Sequence, residues 1–111
     1  LVVSNHGGRN LDSSVPPMKV LPRVLDQVGH QLSVFVDGGF NRGGDVAKAL
    51  AMGAQGVLVG RAPLWGLASA GEPGAKLALN LLREELHRVM AYTGVPQLSA
   101  FNRDLLHDMN D

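Results

Sequence analysis

Residues 33–44 of this chain read SVFVDGGFNRGG, an apolar segment that runs directly into a glycine-rich loop. The first part, Ser33–Val36, is short and mostly apolar, which predicts a buried strand. The second part, Asp37–Gly44, predicts a loop because half of its residues are glycine. The next segment, Asp45–Met52, predicts a short helix, since it begins at an acidic residue and is followed by a glycine that favours a stop.

The same order of strand, loop and helix is predicted on both sides of this stretch. Leu1–Val3 and Gly56–Val59 are apolar enough to be strands, and a loop rich in Gly, Asn, Asp, Ser and Pro covers Asn5–Pro17. Helices are predicted at Met18–Val28, Pro63–Ala70, Gly74–Thr93 and Asn102–His107, and the last residues are expected to fray.

Most helical side chains are expected to have structural roles. The aromatic and sulfur-containing ones predict packing, and they are Trp65, Tyr92, Met52 and Met90. The charged cluster late in the long helix predicts a solvated face, and it comprises Arg83, Glu84, Glu85 and Arg88.

The alternation of short apolar strands with helices predicts an α/β fold with a parallel sheet buried on both faces. Parallel sheets occur as open doubly wound folds or as closed barrels. Three strands in 111 residues cannot close a barrel, which takes eight strands and about 250 residues. The pattern therefore predicts either a small open sheet or the last part of a barrel.

Composition excludes several classes of function. Ten basic and ten acidic residues cancel, which argues against nucleic acid as a partner. The chain lacks cysteine, and its histidines outside the loops are scattered, so neither a disulfide framework nor a metal site is expected. It shows no apolar run of the roughly 18 residues that span a membrane. Because Leu1 already lies in a strand pattern, we expect the sequence to begin inside a domain.

Three loops follow the predicted strands, at the edge of the sheet where parallel α/β folds carry their functional residues. The first loop, His6–Arg9, places an imidazole and a guanidinium on either side of two glycines. An imidazole can move a proton near neutral pH, and a guanidinium can pair with a carboxylate. This loop therefore predicts proton transfer on a substrate that carries a carboxylate.

The other two loops predict a phosphate site. Asp37–Gly44 opens a helix, whose N-terminus favours an anion, and its glycines allow close approach of backbone N–H groups. Gly60 and Arg61 add a backbone donor and a cation after the next strand. Barrel enzymes bind phosphate after strands seven and eight in this way. The alternative for the glycines is that they only form tight βα turns. Asp37 suits a ribityl or ribose hydroxyl, and its alternative role is that of a cap or turn acid.

Four segments carry a resemblance to a known family. SNHGGRNLD (residues 4–12), DGGFNRGGDV (37–46), KALAMGA (48–54) and VLVGR (57–61) closely resemble the FMN-dependent 2-hydroxy acid oxidases and dehydrogenases. The resemblance covers nearly the whole length. It implies that residues 1–111 are the C-terminal segment of a single TIM (β/α)8 barrel domain, about strands six to eight, whose remainder is absent from this chain.

The resemblance also implies chemistry. It implies FMN-dependent oxidation of an (S)-2-hydroxy acid of the lactate, glycolate or mandelate type to the 2-oxo acid. In the family pattern His6 matches the active-site base, which also contacts substrate, and Arg9 matches the residue that binds the substrate carboxylate. The residues that match the FMN-binding positions are Ser4, Asp37, Gly38, Gly39, Phe40, Asn41, Gly60 and Arg61.

One departure from the family pattern concerns the phosphate. The family usually has Arg at the position of Asn41, and that Arg contacts the phosphate. Asn41 keeps hydrogen-bonding capacity but lacks the charge, so Arg42 or Arg61 is expected to compensate. A second departure, Asn10 in place of Gln, is expected to matter little.

The resemblance places the remaining substrate and flavin residues upstream, so the 111-residue chain alone is expected neither to bind FMN tightly nor to turn over. Its implied partners are a small 2-hydroxy acid, the missing part of the barrel and further copies in a homo-oligomer, a tetramer in many relatives. A cytoplasmic location is implied, with peripheral attachment to the inner membrane through an absent segment as the alternative. Two other functions stay open: another FMN- or phosphate-binding barrel enzyme, an isomerase or a synthase, and a non-catalytic fragment.

Overall fold

The computed structural model describes residues 1–107, so the predicted fraying of the last residues lies outside the described range. The elements alternate as expected for an α/β fold. They are β1 (Val2–Val3), α1 (Pro17–Val28), β2 (Phe35–Asp37), α2 (Gly43–Met52), β3 (Gly56–Leu58) and α3 (Arg61–Thr93). Single 3-10 turns lie at His6–Gly8, Leu98–Ala100 and Arg103–Leu105.

The three strands form one parallel sheet in the order β1-β2-β3. Val3 pairs with Val36, and Val36 pairs with Val57, so the strands are in register along one row. The carboxyl ends of all three strands consequently meet at one edge of the sheet, which confirms the predicted parallel arrangement.

The core lies on one face of the sheet. Val34 and Val36 of the β2 segment are 1% and 0% exposed, and Leu21 of α1, at 0%, packs in the same cluster. Since successive strand residues point to opposite faces, Val34 and Val36 share the side that α1 and α2 cover. Burying a side chain of this size contributes about 1.5–3 kcal/mol, so this face holds the described segment together.

The opposite face of the sheet is open, which corrects the expectation that the strands are buried on both faces. Val2 is 46%, Phe35 37% and Leu58 43% exposed. These side chains share one face, because Val2 pairs with Phe35, and Leu58 pairs with Asp37 two residues further along β2. Within residues 1–107 an apolar row therefore remains exposed along the middle of the sheet.

The element α3 consists of two helical halves that meet at a kink, where the sequence predicts the end of one helix and the start of the next. Regular geometry is interrupted at Ala70 and at Gly71, whose φ of 62° and ψ of −147° suit glycine. The two halves cross closely, because a Cβ placed on Gly66 or Gly74 would collide with the backbone carbonyl of the other. The predicted boundary at Gly71 is thus confirmed as a sharp kink between the two halves.

Two further expectations are wrong in detail. Trp65 and Tyr92, predicted to pack, are 59% and 87% exposed. The predicted helix at Asn102–His107 is one 3-10 turn, in which the Asn102 side chain accepts a hydrogen bond from the Asp104 N–H at 3.0 Å. The Asn102 side chain thereby bonds the Asp104 N–H group within the turn itself. The backbone becomes extended again after three residues.

Candidate functional site

The loops that follow β1, β2 and β3 enclose a cavity of about 600 Å³ at the carboxyl edge of the sheet. Nearly all of the predicted site residues line it: His6, Arg9, Asp37, Gly38, Gly39, Phe40, Asn41, Gly60 and Arg61. Leu64 and Trp65 of α3 also contribute to its wall, which the sequence did not indicate. The structure therefore brings together three loops that are separated by about 30 and 20 residues along the chain.

His6 lies in a strained turn. Its φ is 55°, which makes it the one non-glycine residue with positive φ in the described part of the chain. The turn is closed by hydrogen bonds from Gly8 N–H to the Asn5 carbonyl at 3.1 Å and from Arg9 N–H to the His6 carbonyl at 3.2 Å. A non-glycine residue held in this region costs on the order of 1–3 kcal/mol, and such strain concentrates at functional sites.

Ser4 is the predicted site residue that does not line the cavity. Its hydroxyl accepts a hydrogen bond from the His6 N–H at 3.1 Å. In this structure Ser4 supports the turn that carries His6, and its contact with FMN stays a prediction.

Arg61 connects the first and third loops. A Cβ built on Gly7, whose φ is 65°, would lie 2.8 Å from the Arg61 Nη2 atom. The guanidinium therefore lies directly against the backbone of the His6 turn. A permanent cation of the third loop is thereby placed against the turn that carries the candidate base.

The loop after β2 presents its backbone to the cavity. Gly38 and Gly39 have φ values of 109° and 83°, which an L side chain rarely adopts. Phe40 is only 5% exposed and packs in the core, so it offers a ligand its main chain. Asp37 ends β2 on the open face of the sheet, beside Leu58. This loop therefore combines close backbone approach with one carboxylate.

The N-terminus of α2 is occupied by carboxylates of the chain itself. Asp45 Oδ2 accepts from the N–H groups of Asn41 at 3.2 Å and Arg42 at 3.0 Å, and Glu85 Oε2 accepts from the Gly43 N–H at 2.8 Å. The predicted acidic cap at Asp45 is confirmed. Of the N–H groups in the first turn of α2, that of Gly43 is thus already bonded within the chain, and anion binding at this helix end stays a prediction.

Arg42 points away from the cavity and pairs with Glu85 through two contacts. Its Nε lies 3.1 Å from Glu85 Oε2, and its Nη2 lies 2.9 Å from Oε1. Arg42 therefore does not line the cavity in this structure, whereas Arg61 does. The hydrogen bond from the Gly43 N–H, together with the charge of Arg42, lowers the pKa of the Glu85 carboxyl against the opposing effect of desolvation.

Sequence reasoning missed the role of Glu85, which it placed on a solvated helix face. Its partners Arg42 and Gly43 lie 43 and 42 residues away along the chain. No local sequence pattern predicts this pairing, because nothing in the sequence distinguishes Glu85 from Glu84.

A second helix N-terminus with anion-binding capacity lies at the start of α3. No side chain caps this helix end in the described structure, and the helix begins at Arg61 directly after Gly60. Helix N-termini carry unpaired N–H groups and a partial positive charge. Together with the Arg61 guanidinium, they make this side of the cavity suitable for a phosphate.

Residues 1–107 contain neither a metal-ligand cluster nor a membrane-spanning helix. No three His, Cys, Asp or Glu side chains in that range converge in a way that could hold a metal ion. No helix there has the length and apolar character needed to cross a membrane.

Comparison with known proteins identifies relatives over nearly the whole chain. The chain is 46% identical over 107 residues to an L-lactate oxidase of Nostoc sp., which covers 96% of the chain and 29% of that protein. It is 44% identical over 108 residues to (S)-mandelate dehydrogenase of Pseudomonas putida, which covers 97% of the chain and 27% of that protein. The chain thus spans less than a third of the length of these relatives.

Solved structures agree with the sequence matches. The crystal structure of the monotopic membrane protein (S)-mandelate dehydrogenase superposes with a TM-score of 0.91 at 44% identity, covering 96% of this chain and 28% of that one. A mandelate oxidase superposes with a TM-score of 0.87 at 47% identity, covering 92% of this chain and 31% of that one. A family model described as FMN-dependent dehydrogenase matches residues 1–108. This chain belongs to the FMN-dependent dehydrogenase family.

Proposed function

We propose that the complete protein oxidises an (S)-2-hydroxy acid of the lactate, glycolate or mandelate type to the 2-oxo acid, with FMN as the cofactor. The observation that carries this proposal is the shared cavity, in which His6 and Arg9 face the phosphate-binding features at Gly60 and Arg61. Relatives named as lactate oxidase, 2-hydroxyacid oxidase and mandelate dehydrogenase support the reaction class.

We further propose that residues 1–111 form the C-terminal segment of a single (β/α)8 barrel domain. The open face that carries Val2, Phe35 and Leu58 supports this, because parallel sheets are normally covered on both sides. In a barrel the corresponding side chains fill the interior in layers. The rest of the barrel is thus the first partner of this segment.

The cavity fits an FMN. Arg61 and the start of α3 would hold the phosphate, and the Asn41 side chain would add a hydrogen bond in place of the family's arginine. Backbone groups of Gly38 and Gly39 would approach the ribityl chain, and Asp37 would accept from a ribityl hydroxyl. Ser4 is retained as a flavin contact by resemblance. When bound, FMN supplies the acceptor for the two electrons that leave the substrate.

The chain's own residues would perform the proton chemistry. Arg9 would bind the substrate carboxylate, because its planar guanidinium can donate two parallel hydrogen bonds. That pairing would place the 2-hydroxy carbon beside His6. The imidazole would then accept one of the two protons that the hydroxy acid loses on becoming the oxo acid, and the other proton would leave with the two electrons or pass to solvent.

The test is reduction of the flavin by substrate in the complete protein. We expect the purified protein to be yellow and its flavin absorbance to bleach when L-lactate, glycolate or (S)-mandelate is added without oxygen. The 111-residue chain alone is expected to be colourless. Flavin that none of the three acids bleaches would favour an isomerase or a synthase, and a complete protein without flavin would favour a non-catalytic role. Each of these two results contradicts the proposal.

Replacing Arg9 by lysine should weaken substrate binding more than catalysis. Lysine keeps the positive charge but loses the two-pronged geometry, so we expect KM to rise about tenfold or more with a smaller change in kcat. Arg83→Lys, on the exposed side of α3, is the matched control and should leave both parameters unchanged. Steady-state kinetics would check this, and an unchanged KM in Arg9→Lys would contradict the assignment.

The same resemblance supports our proposals for assembly and location. We propose a homo-oligomer, a tetramer by resemblance, and a cytoplasmic location with peripheral attachment to the inner membrane as the alternative. The relationship to a monotopic membrane protein supports keeping that alternative.

A further inference from the structure

We propose that Glu85, on the outer helix α3, is a positioning residue for the cofactor loop, defined as residues 38–41. This inference rests on the proposed function, since it assigns the loop to FMN. Glu85 does not line the cavity. It would act through the turn at Arg42 and Gly43, which directly follows the loop.

The turn is held by three contacts to one carboxylate. Glu85 accepts from the Gly43 N–H at 2.8 Å and pairs with the Arg42 Nε and Nη2 atoms at 3.1 and 2.9 Å. Contacts that involve an ionised partner are roughly twice as strong as neutral hydrogen bonds. Because one carboxylate contacts both the backbone and the side chain of the turn, it fixes the position and the direction of this segment.

The turn at Arg42 and Gly43 also fixes Asn41, the last residue of the cofactor loop. Asp45 accepts from the N–H groups of Asn41 and Arg42, so residues 41–43 are each tied to a carboxylate. Asn41 faces the cavity while Arg42 faces Glu85. If Arg42 lost its partner, its guanidinium would be free to leave this position, and Asp45 alone would hold the turn next to Asn41.

Packing explains why Glu85, and not its neighbour Glu84, can do this. A Cβ placed on Gly43 would lie 2.6 Å from the Glu85 Cβ, so the missing side chain lets the two helices approach closely. The Glu85 side chain is 21% exposed, whereas Glu84 lies on the exposed side of the helix. Glu84 is therefore a matched control of the same residue type, one position away.

A positioning role and a merely structural role predict different results. If Glu85 only joined α2 to α3, its loss would lower the stability of the protein with and without flavin equally, and FMN affinity would not change. If Glu85 positions the cofactor loop, its loss weakens FMN binding while substrate binding to the flavin-loaded enzyme persists. FMN affinity, compared with the substrate KM, therefore separates the two.

The experiment is an FMN titration of the complete apoprotein, followed by the quenching of flavin fluorescence. We expect Glu85→Gln to raise the Kd for FMN roughly tenfold, since hydrogen bonds to a charged group are lost. Glu84→Gln should leave the Kd within about twofold of wild type. The KM for the 2-hydroxy acid at saturating FMN should change less than about twofold in both variants. A Kd in Glu85→Gln equal to wild type, or an equal loss in Glu84→Gln, would overturn the inference.

A second variant keeps the test decisive if Glu85→Gln is poorly folded. Arg42→Gln removes the ion pair but leaves the Gly43 hydrogen bond, so we expect an intermediate rise in the FMN Kd. The double variant should bind FMN no more weakly than Glu85→Gln, because the two residues act as a unit. Additive effects would contradict this. Wild-type protein that binds no FMN would refute the proposed function itself, whereas normal FMN binding in both single variants would refute only the role of Glu85.

Discussion

Replacing His6 by glutamine in the complete protein should leave FMN bound but slow flavin reduction by substrate about 10²–10⁴-fold, which is the usual contribution of a general base. Glutamine is uncharged at every working pH and cannot accept the proton, yet it is polar and similar in length. The substitution leaves the proposed phosphate site at Gly60 and Arg61 unchanged, so the flavin should remain. Stopped-flow mixing with substrate in the absence of oxygen would measure the reduction rate directly.

The strained backbone at His6 requires a control. A φ of 55° is unfavourable for both histidine and glutamine, so the substitution does not change this cost by itself. His30→Gln provides a matched change, because His30 lies outside the cavity and its ring contacts the Gln31 side chain at 2.9 Å. Flavin reduction near the wild-type rate in His6→Gln, or equal slowing in His30→Gln, would refute the role of His6 as the base.

The strand-end loops show how far sequence reasoning reaches. Their convergence was predictable because parallel strands of similar length bring their carboxyl ends to one edge of a sheet. The end of α2 at Gly53 and the bend at Gly71 were also predictable. Both glycines adopt positive φ values, and glycine in this conformation commonly ends a helix. These features depend on local chemistry and on a topology rule, and both can be read from one sequence.

The roles of Arg42 and Arg61 show where that reasoning ends. Either residue was a plausible substitute for the charge missing at Asn41, and the choice depends on which partner each guanidinium meets. Arg42 pairs with Glu85, which lies 43 residues later in the sequence, on α3. The Arg61 guanidinium lies against the backbone of Gly7. Neither contact follows from spacing, because it depends on how α3 packs against α2 and how the loops close over the sheet.

Solvent exposure also could not be predicted fully. The apolar strands indicate burial on both faces, but α1 and α2 cover only one. A sequence indicates which side chains favour burial. Their actual solvent exposure depends on which other elements pack over that face of the sheet. Phe35 and Leu58 are therefore consistent with the strand prediction, although both are exposed in the described segment.

Gly43→Ala should be the most destabilising small substitution at the site. A methyl group there would collide with the backbone nitrogen of Leu86 and would lie 2.6 Å from the Glu85 Cβ. These atoms belong to the regular part of α3, so relief requires the two helices to separate, which would also stretch the Glu85 hydrogen bond to the Gly43 N–H. Overpacking of a core typically costs about 1–3 kcal/mol, and we expect at least the upper end of that range because the obstacle is backbone.

Gly44→Ala provides the control that isolates this collision. A Cβ on Gly44 meets no atom within 4 Å, and both glycines lie in the first turn of α2. Alanine is favoured over glycine in a helix by up to about 1 kcal/mol, so Gly44→Ala should be neutral or slightly stabilising. Urea unfolding of the complete protein would give both free energies of unfolding. Equal stability of the two variants would show that α2 and α3 are not held in contact at Gly43, and it would remove the packing on which the Glu85 contacts depend.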